Sequence, residues 1–116
     1  MAALQHRTRH IMGTVNFTVA AYGRNAKHSG MGGVISTTER TSDAYTSSTS
    51  ASFVEDGSGD ITLYVGEVIR LQVDEAAWVR FGGNVATVGD GFYIPPDTVM
   101  EFECAAAGKV SIIDVA

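Results

Sequence analysis

Apolar side chains recur at every second position over much of the chain, which is the period of a half-buried β-strand. In "TVNFTVAAYG", Val15, Phe17 and Val19 alternate with Asn16 and Thr18. "DITLYV" sets Ile61, Leu63 and Val65 against Thr62 and Tyr64, and "EVIRLQV" sets Ile69, Leu71 and Val73 against Arg70 and Gln72. Gly66 separates these two runs, so together they read as a hairpin or a bulged bend. "DEAAWVRFGG" puts Ala77, Val79 and Phe81 on one face and Trp78 and Arg80 on the other. "TVMEFEC" alternates Met100, Phe102 and Cys104 with Val99, Glu101 and Glu103, and "KVSIIDVA" supplies a last strand after a turn at Gly108.

The stretches between these runs carry turn chemistry. "GRNAKHSGMGG" reads as a loop, and "EDGSGD" reads as a turn from Glu55 to Asp60, because glycine tolerates positive φ and aspartate bonds nearby backbone amides. The Ser/Thr-rich stretch "STTERTSDAYTSSTSASFVEDGSGD" is interrupted by Tyr45 and Phe53 and suits a partly exposed edge strand. Pro95 and Pro96 lack amide donors and belong at an edge or just before a strand begins. No stretch sustains a helical period, and the connections are too short for crossover helices. The pattern predicts an all-β chain: an antiparallel β-sandwich or small jelly-roll-like barrel with an extended N-terminal arm. Residues 1–33 form the basic arm and glycine-rich link, with one strand at 14–22, and residues 34–116 form the sandwich body.

Charge divides the chain in a similar way. Residues 1–40 carry Arg7, Arg9, Arg24, Lys27 and Arg40 against the single acid Glu39, whereas the remainder holds three basic and twelve acidic residues. The net charge of −5 argues against general or specific nucleic-acid binding. A basic arm can serve nucleic-acid contact, but it also suits contact with the acidic surface of a neighbouring subunit, which makes Arg7, Arg9, Arg24 and Lys27 candidate interface residues. The first residues contain arginines without a continuous apolar run, so neither a secretory signal nor a membrane-spanning helix is expected, and synthesis in a cytoplasm is.

Candidate chemistry is sparse. Cys104 is the only cysteine in the chain, which rules out an intrachain disulfide and points to a small apolar core residue. His6 and His10 are four apart and His28 would complete a metal set, but the segment lacks helical character and acidic ligands. "DGSGD" with Glu55 offers oxygen ligands without the spacing of a calcium loop. His28, Ser29 and Asp43 make a paper triad with no nucleophile-elbow motif, and the glycines around Lys27 do not frame a phosphate loop. No enzyme activity, cofactor or metal is expected. Trp78 carries two readings: it fills the sandwich core through a bulge, or it projects with Arg80 as an interface anchor. Glu101 and Glu103 are placed to pair with Arg70 and Arg80 on neighbouring strands, within the molecule or across subunits.

The C-terminal half resembles small structural proteins of tailed-bacteriophage virions. The resemblance rests on a W-V-x-F-G strand at Trp78, Val79, Phe81 and Gly82, and on Ala86–Thr87 in the following loop. It continues through Phe92, Tyr93, Ile94 and Pro95, then Glu101 and Phe102, and ends with Gly108 and Ile112. It implies a virion protein that decorates or cements the capsid surface, made in the host bacterial cytoplasm. The implied partner is the major capsid protein or another virion protein, and the implied form is a homo-oligomer such as a trimer. A low-copy tail, neck or fibre-base component is one alternative. A carbohydrate-binding β-sandwich, with Trp78, Tyr64 and Tyr93 stacking on sugar rings, is another.

Overall fold

The computed structural model describes residues 12–22 and 35–115. Their strands are β1 (Met12–Tyr22), β2 (Ile35–Ser48), β3 (Ser52–Phe53), β4 (Glu55–Asp56), β5 (Gly59–Asp60) and β6 (Thr62–Leu63). They continue with β7 (Glu67–Val73), β8 (Ala77–Arg80), β9 (Phe92–Ile94), β10 (Thr98–Glu103), β11 (Gly108–Lys109) and β12 (Ser111–Asp114). No helix occurs among the described residues, and so none is long and apolar enough to cross a membrane.

Two four-stranded sheets hold one core between them. The first runs β10-β7-β1-β2 and the second β3-β12-β8-β9, with every pairing antiparallel. Period-2 alternation decides which side chains face inward. Val15, Phe17 and Val19 of β1 join Ile69, Leu71 and Val73 of β7, and they meet Ala77 and Val79 of β8, Ile94 of β9 and Ile112 of β12. Each is at most a few per cent exposed, so the strand faces read from the sequence are those the fold uses. The opposite faces of β1 and β7 present Asn16, Thr18, Arg70 and Gln72.

The Ser/Thr-rich stretch is the edge strand β2, paired only with β1. The expected turn at residues 55–60 is the tight β4–β5 hairpin. Pro95 and Pro96 are exposed between β9 and β10, where no ladder needs their missing amides.

Two expectations change. The strand expected at 14–22 spans β1 and lies inside the first sheet, flanked by β7 and β2. It belongs to the body of the sandwich, and the division drawn at residue 33 does not separate one core from another. The runs on either side of Gly66 also do not pair with each other. Leu63 and Thr62 of β6 pair with Gly108 and Lys109 of β11, while β7 pairs with β1 and β10. A turn closed by the Glu67 amide on the Tyr64 carbonyl (3.0 Å) leads from one ribbon to the other and leaves Val65 exposed instead of facing the core.

Candidate interaction surface

The A-W-V-R sequence of β8 fixes the position of the only tryptophan. Ala77 and Val79 are fully buried on the inner face, so Trp78 and Arg80 face outward from the second sheet. The registers of β8 with β12 and β9 run without interruption, and no bulge turns Trp78 into the core. Its cross-strand neighbours are Ile113 on one side and Tyr93 on the other. The Trp78 and Tyr93 ring centroids are 5.4 Å apart at an interplanar angle of 52°, within the range of favourable tilted aromatic pairs. Ile113, Trp78 and Tyr93 thus form an apolar row across three strands, with Trp78 and Ile113 half-buried and Tyr93 44% exposed.

Arg80 shares this face but not this patch. The loop from Gly82 to Gly91 folds back over it. The Ala86 amide donates to Ser111 Oγ (2.8 Å), Ser111 lies directly across from Arg80, and the Arg80 guanidinium donates to the Val85 carbonyl (3.4 Å). The expected Trp78–Arg80 anchor is therefore reduced to Trp78 with Tyr93 and Ile113. The other candidate interface residues, Arg7, Arg9, Arg24 and Lys27, lie outside the described residues, as do His6, His10, His28 and Ser29.

The outer face of the first sheet has a different character. Thr14, Asn16 and Thr18 of β1 stand beside Thr46, Ala44 and Ser42 of β2, and beside Gln72 and Arg70 of β7. Arg70 pairs across the strands with Glu101 at 2.6 Å, as expected, but both side chains are well exposed, and such pairs contribute about 0.2–1 kcal/mol. Within the chain the partnership of Arg80 with Glu103 does not form, because Arg80 lies on the other sheet under its loop.

Two polar nodes close the ends of the sandwich, and the sequence reading anticipated neither. At one end Arg40 of β2 donates to both Glu67 oxygens (2.5 and 2.9 Å) and to the Thr62 carbonyl (2.6 Å), with its guanidinium 4.9 Å from the Tyr64 ring centroid. Burial works to raise the Glu67 pKa, but the bonds from Arg40 and the Tyr64 amide outweigh it and hold the carboxyl below its ordinary value. At the other end Asp114, 2% exposed, accepts from the Gly13 amide (2.9 Å) and the Ser47 hydroxyl (2.6 Å). Burial pushes its pKa up, against the lowering effect of those two bonds. Gly13 is required here, since a Cβ would lie 2.9 Å from Ser47 Oγ and 3.2 Å from carboxylate oxygens of both Asp114 and Asp74.

The remaining candidates are occupied by structural bonds. Asp56 accepts from the Thr41 hydroxyl (2.6 Å) and the Ser58 amide (2.8 Å), which hold its pKa below the ordinary value, and Asp60 pairs with Lys109 at 3.0 Å. Among the described residues no group of three or more His, Cys, Asp or Glu is arranged to hold a metal ion. Asp43 caps the Ala44 amide on the edge strand. Cys104 is buried, its thiol donates to the Ala106 carbonyl (3.3 Å), and burial raises its pKa, so at neutral pH it rests as the protonated thiol. Tyr64 sits with Arg40 on the β6–β7 turn, away from the Trp78–Tyr93 row, so the three aromatics do not form one stacking platform.

Fold and surface together define an antiparallel β-sandwich with one polar outer face and one bearing an aromatic row. No protein-family model, curated protein or solved structure matches the chain.

Proposed function

We propose that the protein is a non-enzymatic assembly module of a bacteriophage virion, a decoration or cement subunit that binds the major capsid protein or another virion protein through the Ile113–Trp78–Tyr93 row. The observation that carries this reading is the asymmetry of the two outer faces: one is mainly threonine, asparagine and charged pairs, with Val99 exposed on its edge strand, and the other presents Trp78 and Tyr93 in contact. Aromatic residues of this kind anchor protein interfaces. Each Å² of apolar surface they bury contributes about 25 cal/mol, and repetition over the many copies of a shell multiplies the effect. The basic residues Arg7, Arg9, Arg24 and Lys27 supply charge complementary to an acidic neighbour, including another copy of this chain in a homo-oligomer.

The test is the copy number of this protein relative to the major coat protein in purified particles, measured by quantitative mass spectrometry for the parent and for Trp78→Ala. The reading expects a ratio near one or a simple fraction of it, falling at least tenfold in the variant. A handful of copies per particle moves the protein to the tail, neck or fibre base. Absence from the particle overturns the reading altogether.

A further inference from the structure

At the end of the sandwich held by Arg40 and Glu67, the described residues leave the core open. Phe81, just past β8, Phe92 of β9 and Phe102 of β10 form a three-ring cluster with centroid separations of 4.9, 5.2 and 5.9 Å. These rings border a half-open pocket of about 450 Å³, within the roughly 300–1,000 Å³ typical of small-molecule sites. Phe92 stands opposite the fully buried Val79 and so faces inward by register, yet it is 52% exposed. Its exposure is core surface left wet by the pocket.

The rest of the lining keeps the space empty. The run Ala105–Ala107 borders it with side chains no larger than a methyl group and Gly82 and Gly108 with bare backbone, beside Leu63 and Asn84, whose side-chain amide donates to the Phe81 carbonyl (2.9 Å). The two glycines touch: a Cβ on Gly108, whose φ is +155°, would lie 2.7 Å from Gly82 Cα. Larger residues at the alanines would fill the void and cover the phenylalanines. The one charged residue in the lining is Glu103, which follows Phe102 on β10, so strand alternation turns its side chain away from the face that Phe102 occupies. Cys104, at the inner margin, is a neutral thiol bonded to the Ala106 carbonyl.

We infer that this pocket is a binding site for an uncharged, flat aromatic molecule of one to two fused rings, which packs against the phenylalanine cluster and covers Phe92. An uncharged guest is favoured because among the described residues no cationic side chain lines the site, and a planar one because tilted or offset ring contacts with three phenylalanines reward a flat face. An anion would meet a chain of net charge −5. The inference does not depend on the assembly reading, since the pocket and the Trp78 row lie at different places on the sandwich.

The chain carries its own reporter, because Cys104 is its only cysteine and borders the pocket. The full-length protein is titrated with the uncharged fluorophore N-phenyl-1-naphthylamine, with indole, naphthalene and 1-naphthoate as competitors. Modification of Cys104 by methyl methanethiosulfonate is timed with and without naphthalene. The expected results are saturable one-to-one binding, displacement by indole and naphthalene but at least tenfold more weakly by naphthoate, and at least tenfold slower Cys104 modification at saturation. Ala106→Phe should abolish binding, and Ala105→Leu serves the same purpose if that variant fails to give the parent Trp78 emission. Trp78→Ala should bind as the parent does. Absence of saturable binding, unchanged binding in a folded pocket-filling variant, or loss of binding in Trp78→Ala would each overturn the proposal.

Discussion

Replacing Asp114 by alanine and by asparagine separates the value of its hydrogen bonds from the cost of its charge. In Asp114→Ala the Gly13 amide and the Ser47 hydroxyl lose a buried acceptor at 2.9 and 2.6 Å. A buried donor left unsatisfied costs about 1–3 kcal/mol. Removing a carboxylate that burial already disfavours offsets part of this, so the net loss should be about 2–4 kcal/mol. Asparagine retains an oxygen for the Gly13 amide, and its amide group can donate to Ser47 Oγ once that hydroxyl rotates, so Asp114→Asn should stay within about 1 kcal/mol of the parent at neutral pH. The pH dependence gives a second, independent readout. A carboxyl whose folded pKa is raised contributes most below its unfolded value near 3.8, and that contribution is lost as pH rises through the folded value. The asparagine variant lacks this loss, so its stability relative to the parent should improve as pH rises from about 4 toward neutrality. Urea denaturation followed by Trp78 emission over that range measures both effects. Equal losses for the two variants, or an asparagine–parent difference that does not change with pH, would refute the argument.

Gly13→Ala brings a methyl group within 3.2 Å of oxygens on three side chains and should cost about 1–3 kcal/mol by overpacking, measured in the same urea titration. Arg40→Ala removes two bonds to Glu67 and one to the Thr62 carbonyl and should cost about 1–2 kcal/mol at pH 7. Because the folded pKa of Glu67 is lowered, the benefit of this node is present above the unfolded value near 4.5 and is lost as pH falls through the folded one. Parent and Arg40→Ala stabilities should therefore converge in acid, and a constant gap down to pH 2 would contradict this. Leu71→Ala, at a fully buried position, should cost about 2–5 kcal/mol, whereas Trp78→Ala on the outer face should cost only about 1–2 kcal/mol, as read by thermal unfolding in circular dichroism.

The sequence is legible where structure follows from the alternation within one strand, and opaque where it depends on which strands meet. Val15, Phe17, Val19, Ile69, Leu71 and Val73 could be assigned to the core because a period of two sorts residues by face without reference to any partner. The same rule gave two faces for Trp78 and Arg80 but not which face was inside, and it could not show that the loop from Gly82 to Gly91 covers only Arg80. Pairing is non-local, which is why the runs flanking Gly66 read equally as a hairpin or a bulged bend, and only the fold shows that Leu63 finds Gly108 instead. Asp114 lay deeper still. A carboxylate in the last strand reads as a solvated residue until Gly13, 101 positions away, and Ser47, 67 positions away, are brought to it. One signal was present: Gly13 and Ser47 occupy the inward positions next in sequence to Val15 and Tyr45, where a small or polar residue interrupts the apolar face.

This distribution of polar and apolar contacts bears on how cleanly the assembly reading can be tested. The two sheets are joined by their shared core and, at one end, by Asp114 with Gly13 and Ser47, while at the other end Arg40 with Glu67 ties β2 to β7 within the first sheet and reaches the β6 ribbon. The Trp78–Tyr93 contact lies outside all three, on the solvent side of the second sheet. Its rings add about 0.5–1.5 kcal/mol to a sandwich whose integrity does not depend on them. Loss of attachment in Trp78→Ala with only the small thermal shift expected by circular dichroism would therefore report on the partner surface itself. Loss of attachment in Asp114→Ala would report only that the sheets had parted.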